Sequence, residues 1–344
     1  MKKEVLGWDQ VLEAEFDKFN QAGDFFAGRI SVEYQELYRV LTERGELIAE
    51  VIGKLRYNQR FPAVGDWVIL GATGGDRAII YDILPRKSKI SRKVAGDRTE
   101  EQVIAANIDT AFIVTSLNED YSLPRIERYL TIVQEHNVRP VVLLSKADLC
   151  PEAEEYQQEV QENLNNEIPV HLLSSVTGQG LEAVRQYLKA GKTISLLGSS
   201  GVGKSTLINQ LTGEELLATK EVRSDDKGRH TTTNRQLIVL EDGGMIIDNP
   251  GMREIQLWDG NEGFSKTFPE ITELALDCKF NDCKHEDEPD CAVKAAIDNG
   301  ELSPDRLKNY RKMKRELRYL NLKQFRKSKS IEKIKARELF GELK

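Results

Sequence analysis

The chain has 344 residues, 40% hydrophobic and 31% charged, which exceeds one ordinary core and predicts two or three domains. No apolar run reaches the roughly 20 residues that span a bilayer, and Met1-Lys2-Lys3-Glu4 opens no secretory leader, so a cytoplasmic protein with no membrane partner is expected. Four cysteines, three of them within residues 278–291, argue against a disulfide framework, and the net charge of −7 hides a basic end: residues 305–344 hold 15 Lys/Arg against 5 Asp/Glu.

Residues 1–24 read as a lead-in, with Val5, Leu6, Leu12, Phe16 and Phe19 among charges. From 25 to 90 five short alternating segments predict a small closed β-barrel, of the OB type or the SH3-like type. A basic linker over about 86–100 follows, carrying Arg86, Lys87, Lys89, Arg92, Lys93 and Arg98. From 91 to 260 apolar strands alternate with helices, which predicts a doubly wound α/β sheet with its ligand at the strands' C-terminal ends. Glu241-Asp242-Gly243-Gly244 reads as a hairpin turn. Residues 261–344 return to helix. After Pro304, the residues Leu307, Tyr310, Met313, Leu317 and Leu320 mark one apolar face of a long basic helix. That helix reads equally as a solvated tail or as a surface for a phosphate-bearing partner.

The chemistry centres on Gly198-Ser199-Ser200-Gly201-Val202-Gly203-Lys204-Ser205, preceded by a strand and followed by a helix from Thr206. This is the G-x-x-x-x-G-K-[ST] pattern, in which backbone N–H groups and a helix N-terminus cradle phosphates. Lys204 is expected to reach the β- and γ-phosphates and Ser205 to ligate Mg²⁺. Asp248-Asn249-Pro250-Gly251 follows a buried strand, where an Asp sits near Mg²⁺ and Gly251 can donate its N–H to the γ-phosphate. Ser145-Lys146-Ala147-Asp148 resembles the [N/T]-K-x-D motif that reads guanine: the Asp148 carboxylate would accept from N1–H and N2–H₂, which adenine lacks. Ser174-Ser175-Val176 resembles the loop whose backbone contacts the guanine oxygen. Gly228-Arg229-His230-Thr231-Thr232-Thr233 lies where a γ-phosphate-sensing switch belongs, with Thr232 the expected second Mg²⁺ ligand. Met252 is apolar where many GTPases carry a water-orienting Gln. His230 is either the residue that orients the water or a surface histidine of that switch.

The base-reading motifs precede the phosphate loop, the reverse of the usual order. A parallel sheet can be cut and rejoined where its termini lie close, so this order predicts a circularly permuted P-loop GTPase. Residues 252–344 then follow directly behind the switch at Asp248–Gly251. In that segment Cys278, Cys283, His285 and Cys291 offer three thiolates and an imidazole, a set that suits one structural Zn²⁺ per chain.

Together the permuted order, the four motifs, the Cys/His knot and Val64-Gly65-Asp66-Trp67-Val68 resemble the ribosome small-subunit-dependent GTPase A family over about residues 25 to 300. The resemblance implies an N-terminal OB-fold β-barrel, a circularly permuted GTPase domain and a C-terminal helical zinc-binding domain. It implies late assembly of the small (30S) ribosomal subunit, ribosomal RNA as a partner, and GTP hydrolysis stimulated by the subunit. A monomer is expected. Ser145 and Asn249 depart from the family's usual Asn and Thr, and loss of the asparagine's amide bridge is expected to weaken the loop. Three other readings stand beside this one: a slowly hydrolysing RNA-binding scaffold with GTP as a clamp, a permuted GTPase of the large subunit, and an ATP-dependent kinase, which Asp148 argues against.

Overall fold

The computed structural model describes residues 1–20, 23–35, 37–94, 100–118, 120–164, 166–217, 235–249, 257–258 and 260–341. They fall into two units. Residues 1–90, 103–129 and 136–254 make the first, and residues 91–102, 130–135 and 255–344 the second.

The lead-in is part of the first unit's core. Asp9 caps α1 (Gln10–Phe19), its carboxylate accepting from the N–H groups of Val11 and Leu12. Leu6, Trp8, Leu12 and Phe16 are buried, and the Trp8 ring meets Trp67 edge-on at 4.7 Å. The barrel follows: β1 (Phe26–Glu33), β2 (Tyr38–Thr42), β3 (Gly45–Val51), the short helix α2 (Gly53–Tyr57), β4 (Trp67–Gly74) and β5 (Arg77–Ile83). Hydrogen bonding runs β1-β2-β3-β5-β4 and closes from β4 back to β1, an OB-type five-stranded barrel. Ile30, Val40, Val68, Leu70 and Ile80 fill it.

Val64–Val68 shows its purpose here. Gly65 has φ +91°, and a Cβ there would lie 2.2 Å from the Ala106 carbonyl oxygen. Asp66 is buried and takes two bonds from Arg86, at 2.7 and 2.6 Å. Lys87 pairs with Asp9, so two cations of the basic segment serve the fold. Part of that segment is strand rather than linker: β6 (Lys89–Lys93) pairs with β7 (Glu101–Ala106).

The α/β layer continues with β8 (Thr110–Ser116), α3 (Leu123–Gln134), β9 (Arg139–Ser145), α4 (Ala153–Asn163), β10 (Val170–Leu173), α5 (Leu181–Arg185), β11 (Thr193–Leu197), α6 (Lys204–Thr212), β12 (Gln236–Val239) and β13 (Met245–Asp248). The strand order is β10-β9-β8-β11-β13-β12. All neighbours are parallel except β12 and β13, the expected hairpin. β11, which leads into the phosphate loop, is central, while the strands on one side of it come earlier in the chain. That is the permuted order. β12 also pairs with β1 at Val32↔Gln236, so barrel and layer share one 11-stranded sheet.

The second unit holds α7 (Asn261–Thr267), α8 (Pro269–Leu274), α9 (Ala292–Asp298) and α10 (Pro304–Gly341). All five apolar residues read from the α10 pattern, Leu307 to Leu320, are buried. Tyr310 packs on Phe264 and Phe268 at 4.8 and 5.6 Å. Arg306 is buried over the Phe268 ring and donates to Glu270 at 2.7 Å. No helix among the described residues is long and apolar enough to cross a membrane.

Candidate functional site

Four parallel strands deliver the expected motifs to one edge of the sheet. β9 ends at Ser145, opposite Leu173 at the end of β10. Leu196 of β11 is paired with Asp248 at the end of β13. The turn 198–203 bends under α6 because its glycines take conformations closed to other residues: Gly201 at φ +87° and Gly203 at φ +96° face open space, while a Cβ on Gly198 would meet the Val114 carbonyl oxygen at 2.2 Å. Ser200 and Gly201 are exposed, Ser199, Val202 and Lys204 are buried, and Ser205 and Thr206 are half-buried at the α6 N-terminus.

Lys204 closes the loop on itself. Its Nζ donates to the carbonyl oxygens of Gly198 at 2.8 Å and Ser199 at 2.7 Å. Burial lowers its pKa to about 8, against the opposing pull of Asp248 and Asp120. Burial also raises Asp248, with Lys204 holding it down. A buried lysine and a buried carboxylate thus sit near the loop, each paying for desolvation.

The two loops expected to read the base stand alongside. Lys146 takes the left-handed conformation, φ +57°, and opens a short 3-10 turn over Ala147–Leu149 that leaves Asp148 exposed. Ser174 Oγ accepts from the N–H groups of Val176 and Thr177, shaping the turn behind β10 with Ser175 half-buried. Ser145 differs from the expectation that its side chain leaves the loop unbridged. Its hydroxyl lies 2.6 Å from the Val202 carbonyl oxygen and 3.2 Å from that of Thr115, so it joins the 145–148 loop to the 198–205 loop. Asn249 is buried, with Nδ2 donating to Ser195 Oγ at 2.7 Å and Oδ1 lacking a described partner.

The pattern did not single out Asp120 and Arg125. Arg125 Nη1 donates to Asp120 Oδ1 at 2.6 Å and to Ser199 Oγ at 3.1 Å, placing a guanidinium against the loop's second residue. Arg125 reads from sequence only as a polar position on α3. His230, Thr232, Gly251 and Met252 lie outside the described residues.

In the second unit Cys278, Cys283, His285 and Cys291 are all buried, with their ligand atoms within 4.8 Å of one another. Cys278 Sγ lies 3.8 Å from Cys291 Sγ, and His285 Nδ1 lies 3.6 and 3.5 Å from those two sulfurs. Tetrahedral zinc ligands would stand about 3.8 Å apart sulfur to sulfur and about 3.5 Å sulfur to nitrogen. The donor set and spacing therefore fit a metal ion. Burial, reinforced by Lys314 and Arg311, lowers the His285 pKa and favours the neutral imidazole that ligation needs.

Comparison with known proteins agrees with this geometry. The family model described as RsgA GTPase matches residues 83–258. "Small ribosomal subunit biogenesis GTPase RsgA 2" of Lactiplantibacillus plantarum is 46% identical over 340 residues, covering 97% of this chain and 94% of that protein. "Small ribosomal subunit biogenesis GTPase RsgA" of Methanosarcina acetivorans is 43% identical, covering 99% and 92%. Among solved structures, YjeQ from Thermotoga maritima superposes with TM-score 0.63 at 28% identity over 85% of this chain and 98% of that one. YloQ, titled a circularly permuted GTPase, gives TM-score 0.62 at 26% identity, covering 86% and 95%.

Proposed function

The chain belongs to the RsgA GTPase family, and from that membership we propose that it hydrolyses GTP at the 198–205 loop as an assembly factor of the small ribosomal subunit. The observation that carries this is the meeting of the Ser145–Asp148 loop, the Lys204 loop and Asp248 at one sheet edge. In this reading Asp148 selects guanine, with Lys146, Ala147, Ser174 and Ser175 shaping the base pocket. The N–H groups of Ser199 to Thr206 receive the phosphates. Lys204 exchanges its two carbonyl partners for phosphate oxygens, which hold its charge better than a carbonyl can. Asp248, Gly251 and the Gly228–Thr233 switch sense the γ-phosphate, and His230 orients the attacking water.

Ser205 and Thr232 are the residues that would hold Mg²⁺, which supplies charge neutralisation on the phosphates. Cys278, Cys283, His285 and Cys291 would hold one structural Zn²⁺, with every position filled by protein. Functionally we divide the chain into a lead-in over 1–24, a barrel over 25–90, a GTPase part over 91–260 and a zinc-binding part with its basic helix over 261–344. The names of the relatives support a small-subunit partner. The excess of Lys/Arg after residue 304 supports contact with its RNA. A monomer in the cytoplasm completes the proposal.

The test is the rate of GTP hydrolysis by the purified chain with and without 30S subunits. A low rate alone and a clear rise with 30S is expected. Met252, apolar where a water-orienting Gln often stands, favours a second reading: a clamp that binds 30S without turnover. Tight binding to 30S with no rise in rate would establish that reading instead.

A further inference from the structure

Tyr57 is the most exposed large apolar side chain among the described residues, at 89%, and Phe61, four residues on, is 47% exposed. Neither is explained by the barrel's core or by the nucleotide loops. Between and beside them Lys54, Arg56 and Arg60 are also exposed, and residues 53–61 contain no carboxylate. In a chain of net charge −7, cations interleave here with open aromatic rings; the exposed Tyr319 and Phe325 of α10 also stand among cations, but those rings already carry Lys323 and Lys329 at 4.7 and 4.5 Å.

The segment is also held in place. Leu55 is buried beneath it. The Arg60 N–H bonds back to the Leu55 carbonyl at 2.9 Å, and that of Gln59 to Arg56 at 3.1 Å. The Arg60 guanidinium pairs with Asp82 at 2.7 Å and with the Ile83 carbonyl at 2.9 Å. The rings are therefore presented on a fixed turn, which lowers the ordering cost of binding. The face that OB barrels commonly offer to oligonucleotides, along the second and third strands, is poorly suited here. It carries exposed Glu43, Glu46 and Glu50, with Arg39 drawn to Glu46 at 3.2 Å and Arg44 set over the Phe26 ring at 4.2 Å.

We propose that the turn from Lys54 to Phe61 is a stacking platform for single-stranded RNA of the small ribosomal subunit. Tyr57 and Phe61 take unpaired bases on their faces, and Lys54 and Arg56 meet the phosphates. Stacking is tolerant of sequence because every base has a π-face, so the platform favours an exposed single strand over a particular base order. This inference rests on the small-subunit reading above and deepens it by naming the surface.

The test uses the full chain and two probes, a fluorescently labelled short oligouridylate and intact 30S subunits. The combined Tyr57→Ala and Phe61→Ala variant is expected to lose affinity for both, by about tenfold for each ring. Exchanging the rings, Tyr57→Phe with Phe61→Tyr, is expected to keep both affinities. Lys54→Gln with Arg56→Gln is expected to flatten the salt dependence by about 0.7 in slope for each phosphate no longer neutralised. Basal GTP hydrolysis should stay at the wild-type rate in every variant, which verifies the fold. Wild-type affinity of the double alanine variant for oligouridylate overturns the proposal. If 30S binding falls while oligouridylate binding does not, the platform takes a protein and the RNA assignment is wrong. A wild-type chain that fails to respond to 30S would defeat the small-subunit reading, while the oligouridylate arm would still report on the platform.

Discussion

At the scale of single residues, two side chains at the phosphate loop have measurable consequences. Lys204 is a buried cation whose pKa falls to about 8 from 10.5, burial being the main cause. Phosphate oxygens would restore its preference for the charged form. Below about pH 8 the lysine is protonated with or without nucleotide, so binding moves no proton. Between about pH 8 and 10 the free protein has lost the proton and the complex regains it. Calorimetry of GTP binding in buffers of different ionisation enthalpy should therefore detect uptake of one proton in that window, with affinity falling as pH rises. Ser145 permits a second test. Its hydroxyl bond to Val202 replaces the bridge expected of asparagine, and Ser145→Ala removes it at a cost of about 1 kcal/mol. Roughly fivefold weaker GTP binding is expected, with the protein otherwise folded. The sequence shows Ser145 as a departure; only the 2.6 Å approach of two segments 57 residues apart shows how the departure is accommodated.

At the scale of elements, the Cys/His cluster ties the loop after α8 to the start of α9. Cys278 and Cys291 bracket it, and their sulfurs and His285 already stand at ligand spacing. Metal binding at such a cluster contributes directly to folding. Cys283→Ser is expected to lower zinc from about one atom per chain, read by atomic absorption, and to lower the unfolding temperature of the second unit. GTP binding should persist, because the nucleotide loops belong to the first unit. The knot was legible from ligand type and spacing alone. The β6–β7 pair was not: β6 fell within a stretch that read as a basic linker, and strand pairing depends on partners a local pattern does not reveal.

At the scale of the molecule, the first unit turns on Arg29, which is buried with no carboxylate among the described residues bonded to it. Its guanidinium donates to the carbonyl oxygens of Leu6, Gly65 and Asn107 and to Thr193 Oγ1. Those acceptors come from the lead-in, the barrel, the segment before β8 and the strand that feeds the phosphate loop. Burial lowers the pKa of Arg29 to about 10, with Asp109 and Asp66 opposing the fall, so it stays charged at neutral pH. Arg29→Met would leave several buried acceptors without donors, each costing about 1–3 kcal/mol. A fall in unfolding free energy of about 3 kcal/mol or more is expected from urea titration. Arg29 read in sequence as one polar position of an alternating strand, and nothing local marks it as the bond between four segments.

The amino-acid sequence by itself determined the chemistry and its order along the chain. A glycine-rich turn ending in Lys204-Ser205, a carboxylate behind a buried strand and, upstream, the Ser145–Asp148 loop proposed to read guanine are each set by residue type and spacing, because those patterns are local. From their order came the permuted GTPase, and from ligand type and spacing the Cys/His cluster that could hold a metal. Only the tertiary structure decided what joins these parts: Ser145 on Val202, Arg125 on Ser199, the lead-in under Trp67, and β1 paired with β12 in one sheet. Such contacts link residues dozens to hundreds of positions apart. They depend on where the chain returns in space, which neither periodicity nor spacing encodes.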